Sequence, residues 1–213
     1  MTSEPLNQYT DICKDAIKGS SAKLGKTFEN LLLEILLLYI VIQRNIKFTQ
    51  MERYGTHCEQ TYRMNFNRGR AKCINWVKFN LALSRHYLNM DGLLAIAIDP
   101  SYMSGEDVLR TYRSRFQIEF CFRDAKQFTG LTHCQARHKN QLDFSYNASF
   151  ASQNVAKVMM KENGLPYSMA SFKELMASTY IAKLIFDKCR NMPNRKLISH
   201  TIKELFGWQR KAA

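Results

Sequence analysis

The chain has no Cys-x-x-Cys pair, no 20-residue apolar run and few acids. Four prolines and nine glycines in 213 residues are too few for a collagen or a mucin-like stalk. With 46% apolar residues it is not a wholly disordered chain either. Its cysteines, Cys13, Cys58, Cys73, Cys121, Cys134 and Cys189, are far apart. That spacing predicts free thiols in a reducing cytosol rather than a disulfide framework. His133, Cys134 and His138 lie close together, but four ligands at zinc spacing are missing, and no zinc is expected. Met1 to Tyr9 is polar with no basic stretch, so no signal peptide is expected. The longest apolar run, Leu31 to Ile42, is 12 residues and is interrupted by Glu34. It falls short of the ~20 residues that span a bilayer. A buried core helix is the expectation, with no membrane partner.

The scarcity of acids is the first functional signal. Lys and Arg total 31 against 18 Asp and Glu, a net charge of +13. A chain this basic is drawn to polyanions, nucleic acid first among them. The one acidic island is residues 91–110, with four acids and one base. An acidic spot in a basic field suits a cation-dependent enzyme acting on nucleic acid.

Along the chain, residues 1–26 are polar and read as a flexible arm. Residues 27–90 read as helical. Thr49-Gln50-Met51-Glu52 and Thr56-His57-Cys58-Glu59 both fit the capping-box pattern, with Gly55 between them. They predict a short helix at about 50–54 and a second reaching about Phe66. Two helices across a glycine turn form a candidate helix-turn-helix. His57, Gln60, Thr61, Arg63 and Met64 would then face a groove, with Arg68, Arg70 and Lys72 on phosphates. The alternative is an ordinary helical hairpin with a basic surface. A further helix is expected over 71–88. Leu93 to Ile98, ending in Asp99-Pro100, reads as a strand buried on both faces. Helices are expected over 148–160, 168–186 and 197–206.

Ser104 and Asp107 mark the start of a helix expected over about 105–127. With Tyr112 set at 0° on the helical wheel, Arg115 falls at about −60°, Glu119 at about −20° and Lys126 at about −40°. Val108, Leu109, Phe116, Phe120 and Phe122 surround this stripe, so the ionisable groups occupy the middle of an apolar face. Charges usually sit opposite such a face, and a broken local rule often marks a site. The plain alternative, an i,i+4 Arg115–Glu119 pair, accounts for two of the four residues.

Tyr112-x2-Arg115-x3-Glu119-x6-Lys126, followed by Thr129-Gly130-Leu131, resembles the Tyr-Arg-Glu-Lys signature of a group of bacterial insertion-sequence transposases. Ile98-Asp99-Pro100-Ser101 resembles the first catalytic strand of the same enzymes, and the likeness runs from about residue 45 to the end. The resemblance implies a DDE-type DNA transposase on an RNase H-like fold, moving phosphoryl groups with two Mg²⁺ ions. It implies Asp99 and Glu119 as catalytic metal ligands, and Tyr112, Arg115 and Lys126 as DNA-binding groups at the transposon end. It also implies double-stranded element ends as partner, a homodimer on the DNA, and a nucleoid-associated place in the cytoplasm.

The chain departs from that family in one respect. The family carries several strands and a second catalytic Asp between its first Asp and its Glu. Here Asp99 and Glu119 are 20 positions apart. The expectation is therefore an internally deleted, catalytically impaired copy. Its fold would be mainly α, with one to three short strands left from an RNase H-like α/β core. Residues 91–213 would form the truncated catalytic region with its C-terminal helices. The alternative is a non-catalytic DNA-binding remnant, or an inhibitor of the intact transposase. The site reading fails if Glu119 points into bulk solvent, distant from Asp99 and from the other three signature residues.

Overall fold

The computed structural model describes residues 5–20, 24–43, 45–67, 74–88, 104–113 and 115–188. Among these residues the chain is mainly helical and contains no strand. The expected strand Leu93–Ile98, Asp99 and the helix over 197–206 lie outside the described residues. The helices are α1 (Pro5–Gly19), α2 (Lys26–Val41), α3 (Phe48–Tyr54), α4 (Glu59–Asn67), α5 (Trp76–Leu88), α6 (Gly105–Arg113), α7 (Arg115–Phe128), α8 (Lys139–Glu162) and α9 (Met169–Lys188).

The apolar run does form a helix, and α2 is buried on nearly every face. Leu32, Ile35, Leu36, Leu38 and Ile40 have no exposed surface. Each such side chain contributes about 1.5–3 kcal/mol on leaving water. Helices α1, α8 and α9 surround α2. Close approach of α8 is possible because its inner face is small: Ala148, Ser149, Ala151, Ser152 and Ala156 are all fully buried. The polar atoms among them are satisfied. Ser152 Oγ donates to Leu36 O at 3.1 Å, and the Tyr9 hydroxyl lies 3.2 Å from Ser152 O. Tyr39 and Ser145 share a hydroxyl hydrogen bond at 3.0 Å. Burial raises the Tyr9 and Tyr39 phenols above their ordinary range.

The expected flexible arm is corrected here. Residues 5–19 form α1, which docks on α2, α5, α8 and α9. Leu6, Tyr9, Ile12, Cys13, Ala16 and Ile17 are buried along one side. Their spacing of three and four residues is helical, and of the polar residues between them Gln8 is buried too, its amide bonded to Glu162 and Asn163. The two capping boxes are also corrected. Helix α3 starts at Phe48, with Lys47 as an N-cap that makes no side-chain bond. Helix α4 starts at Glu59, and the Thr56 hydroxyl bonds Glu34 instead.

One buried cation joins three elements. Lys173 on α9 is 3% exposed. Its Nζ donates to Tyr39 O at 3.1 Å and to Phe128 O. Both carbonyls belong to last turns, of α2 and α7 respectively, where no intrahelical donor remains. A positive group near two negative helix ends is electrostatically favourable. Desolvation opposes this and pulls the ammonium pKa down to about 7.

Candidate nucleic-acid interface

The α3–α4 unit is held from below by Glu34. Glu34 interrupts the apolar run because its carboxylate reaches the turn. Oε1 accepts the Thr56 N–H and the Thr56 hydroxyl (2.9 Å), and Oε2 lies 2.6 Å from His57 Nδ1. A carboxylate accepting several hydrogen bonds fixes the geometry it caps. Gly55 is required by close approach rather than by its backbone angles. A Cβ there would overlap the Tyr62 hydroxyl, with Met51 O at 2.7 Å and Glu34 Oε1 at 2.8 Å.

Helix α4 turns Tyr62 and Phe66 into the core and leaves Gln60 and Arg63 exposed. Arg63 pairs with Glu59 one turn back, and its guanidinium lies over the Phe48 ring at 5.5 Å. The two helices and the glycine turn of the expected helix-turn-helix are therefore present, with His57, Thr61 and Met64 half-buried. Arg68, Arg70 and Lys72 lie outside the described residues.

Helices α6 and α7 carry the signature positions. The structure turns their apolar face opposite to the way the sequence pattern suggests. Tyr112 and Leu109 are more than half exposed, and Phe116, Phe120 and Phe122 nearly so. Glu119 and Lys126 are exposed on the same side. The face that packs is the other one. Ala125 is fully buried, and Cys121 and Phe128 are partly so. On the wheel of α7 these three fall within about 60° of one another, opposite Glu119 and Lys126; the single helix expected over 105–127 is two, α6 and α7. Cys121 Sγ donates to Gln153 Oε1 at 3.7 Å, and the Thr129 and Ser149 hydroxyls meet at 2.8 Å. Small side chains let α7 lie close to α8, and the bulky rings go outward. Phe122 still meets Phe150 edge-on at 5.3 Å, and Arg123 stacks over Phe120 at 4.8 Å.

The outer surface thus interleaves rings with charge: Tyr112, Phe116 and Phe120 with Arg113, Glu119, Arg123 and Lys126. Of the four signature residues, Tyr112 on α6 and Glu119 and Lys126 on α7 are exposed to solvent. Arg115 is placed as the first residue of α7, without its side chain. Asp99 lies outside the described residues, so its relation to Glu119 is not described. Among the described residues no three His, Cys, Asp or Glu side chains gather as metal ligands. The described residues therefore do not by themselves make a Mg²⁺ centre. Among them, too, no helix is long and apolar enough to cross a membrane.

No family model, curated protein or solved structure matches the chain. Sequence reasoning missed the role of Glu34 as the brace of the turn. The charged residue inside an otherwise unbroken apolar run was the available signal.

Proposed function

We propose that the chain is a DNA-binding protein of the insertion-sequence transposase group, an internally deleted copy that holds element ends without cutting them. The observation that supports this reading is the exposed side of α6–α7. It presents Tyr112, Lys126, Arg113 and Arg123 to solvent in a chain of net charge +13. Arg and Lys bind phosphates, and an exposed ring stacks or donates a hydrogen bond. The α3–α4 unit, with Gln60 and Arg63 outward, supplies a second contact, and two copies would meet on the DNA.

Fluorescence anisotropy of labelled duplexes carrying the element ends tests the proposal. Affinity should fall steeply with salt and need no divalent cation. Lys126→Ala and Arg123→Ala should each lower the salt slope by about 1. Unchanged slopes in both variants would remove α7 from the interface. Mg²⁺-dependent nicking abolished by Glu119→Gln would instead make the chain an active enzyme.

A further inference from the structure

A cleft of about 400 Å³ opens between the α3–α4 unit, the loop after α7 and the first turns of α8. It is separate from the exposed side of α7. Gln141, in the first turn of α8, lines it and is 9% exposed. Its amide offers two donors and an acceptor, yet has no partner among the described residues. The amide is not among the buried unpartnered groups, so it faces the open cleft with its donors and acceptor available. An incoming polar edge with a donor beside an acceptor can pair with both.

The neighbours fix what else the cleft can hold. Gly130, at φ +66°, turns the loop so that His133 faces Ile46. The Ile46 N–H donates to His133 Nδ1 at 3.0 Å. With Nδ1 accepting, the neutral ring carries its proton on Nε2 and is a donor there. Burial, with the charges of Lys173 and Lys47, holds the His133 pKa below its ordinary value and keeps the ring neutral at pH 7. The Tyr39–Ser145 hydroxyl pair adds a further polar contact. Facing these groups is an aromatic wall, Phe48 edge-on to Phe66 at 5.0 Å.

The rim is cationic. Lys47 is exposed there, Arg63 also lines the cleft, and Glu59 is the one acid among the described lining residues. The positive end of α8 adds to them, because its N-cap His138 makes no side-chain hydrogen bond. A volume of about 400 Å³ lies within the range of small-molecule sites, and a flat ring with one anionic group fits such a mixture. Amide side chains pair with the edges of bases.

We propose that this cleft binds a nucleotide: its base edge on Gln141, its ring against the Phe48–Phe66 wall, and its phosphate at Lys47. The nucleotide is either a free metabolite or one unit of a single strand, and the chemistry recognised is the same.

The full chain is titrated calorimetrically with the four 5′-mononucleotides, their nucleosides, inorganic phosphate and a short single-stranded oligonucleotide. The expected result is saturable binding of at least one mononucleotide, or of the strand, at about 1 mM or tighter. Gln141→Met keeps the length of the side chain and should weaken that binding about tenfold. Lys47→Met, at an exposed position, should weaken the mononucleotide and leave its nucleoside unchanged. Binding of the free mononucleotide assigns a metabolite ligand; binding of the strand alone assigns nucleic acid. Failure of every probe to saturate overturns the proposal. So does phosphate binding as tightly as the nucleotides, or binding that ignores Gln141→Met while circular dichroism shows the variant folded. Lys126→Ala should leave the mononucleotide titration unchanged, so loss of the duplex interface and loss of this site are read separately.

Discussion

Lys173→Met tests the most costly group in the core. The wild-type ammonium is 3% exposed, and burial lowers its pKa from 10.5 to about 7. Between those values the unfolded chain binds a proton that the folded chain does not. Folding stability therefore rises with pH across that window, by at most about 1.4 kcal/mol per pH unit. From pH 7 to 8.5 this amounts to roughly 2 kcal/mol, or a rise in Tm of about 4–8 °C for a chain of this size. Of the other shifted groups, Cys58 acts in this window: hydrogen bonding to Thr61 lowers its thiol pKa and adds a rise of the same sign, which a Cys58→Ser background removes. His133, with a lowered pKa, exerts its effect below its ordinary value of 6.5. The Cys13 thiol is pushed up by burial, so it lowers stability only above the ordinary thiol range.

The variant replaces the amine by a thioether of similar length, so in the Cys58→Ser background the slope from pH 7 to 8.5 should disappear. At pH 8.5 the variant should be less stable by about 1–2 kcal/mol, because Tyr39 O and Phe128 O lose their donor. At pH 6 the order should narrow or reverse, since the wild type then buries a full charge. Urea melts followed by circular dichroism at half-unit pH steps supply both curves. A wild-type curve flat from pH 7 to 8.5, or a slope retained in Lys173→Met in the Cys58→Ser background, would refute the account of this residue.

Two further substitutions probe the brace of the α3–α4 turn. Gly55→Ala places a methyl group against the Tyr62 hydroxyl and Met51 O, and should destabilise by about 1–3 kcal/mol in a chemical melt. Glu34→Leu completes the apolar run but leaves the Thr56 and His57 donors without their acceptor. It should cost about 1–3 kcal/mol and speed hydrogen exchange in residues 55–62 more than in α8. Equal protection in both regions would show that the carboxylate does not brace the turn.

The helices were legible wherever periodicity and a stop signal agreed. The apolar run announced α2, and Asn163-Gly164 after Glu162 marked the end of α8. The first helix was hidden because Leu6, Tyr9, Ile12 and Ala16 are diluted by polar residues, and only their spacing betrays them. The capping boxes misled because a hydroxyl three residues before a Glu serves a helix only if the backbone begins there. At Thr56 a distant carboxylate, Glu34, competes for the hydroxyl and wins. The stripe on α6–α7 was legible as a stripe, but periodicity does not say which face turns inward. Small Cys121 and Ala125 decided that question by allowing close contact with α8, against the larger apolar area opposite. The cleft at Gln141 had no local signal at all. It is assembled from α3, α4, α8 and a loop that meet only in three dimensions.

The placement of α1 has a consequence for biosynthesis. Its buried side is completed by α5, α8 and α9, and Tyr9 meets Ser152 across 143 positions of chain. At roughly 5–20 residues per second, the ribosome needs about 7–30 s after making Tyr9 to supply that neighbour. Helix α1 is thus fully housed only once α8 and α9 have been made, and for that interval its greasy side needs a chaperone or a transient shelter.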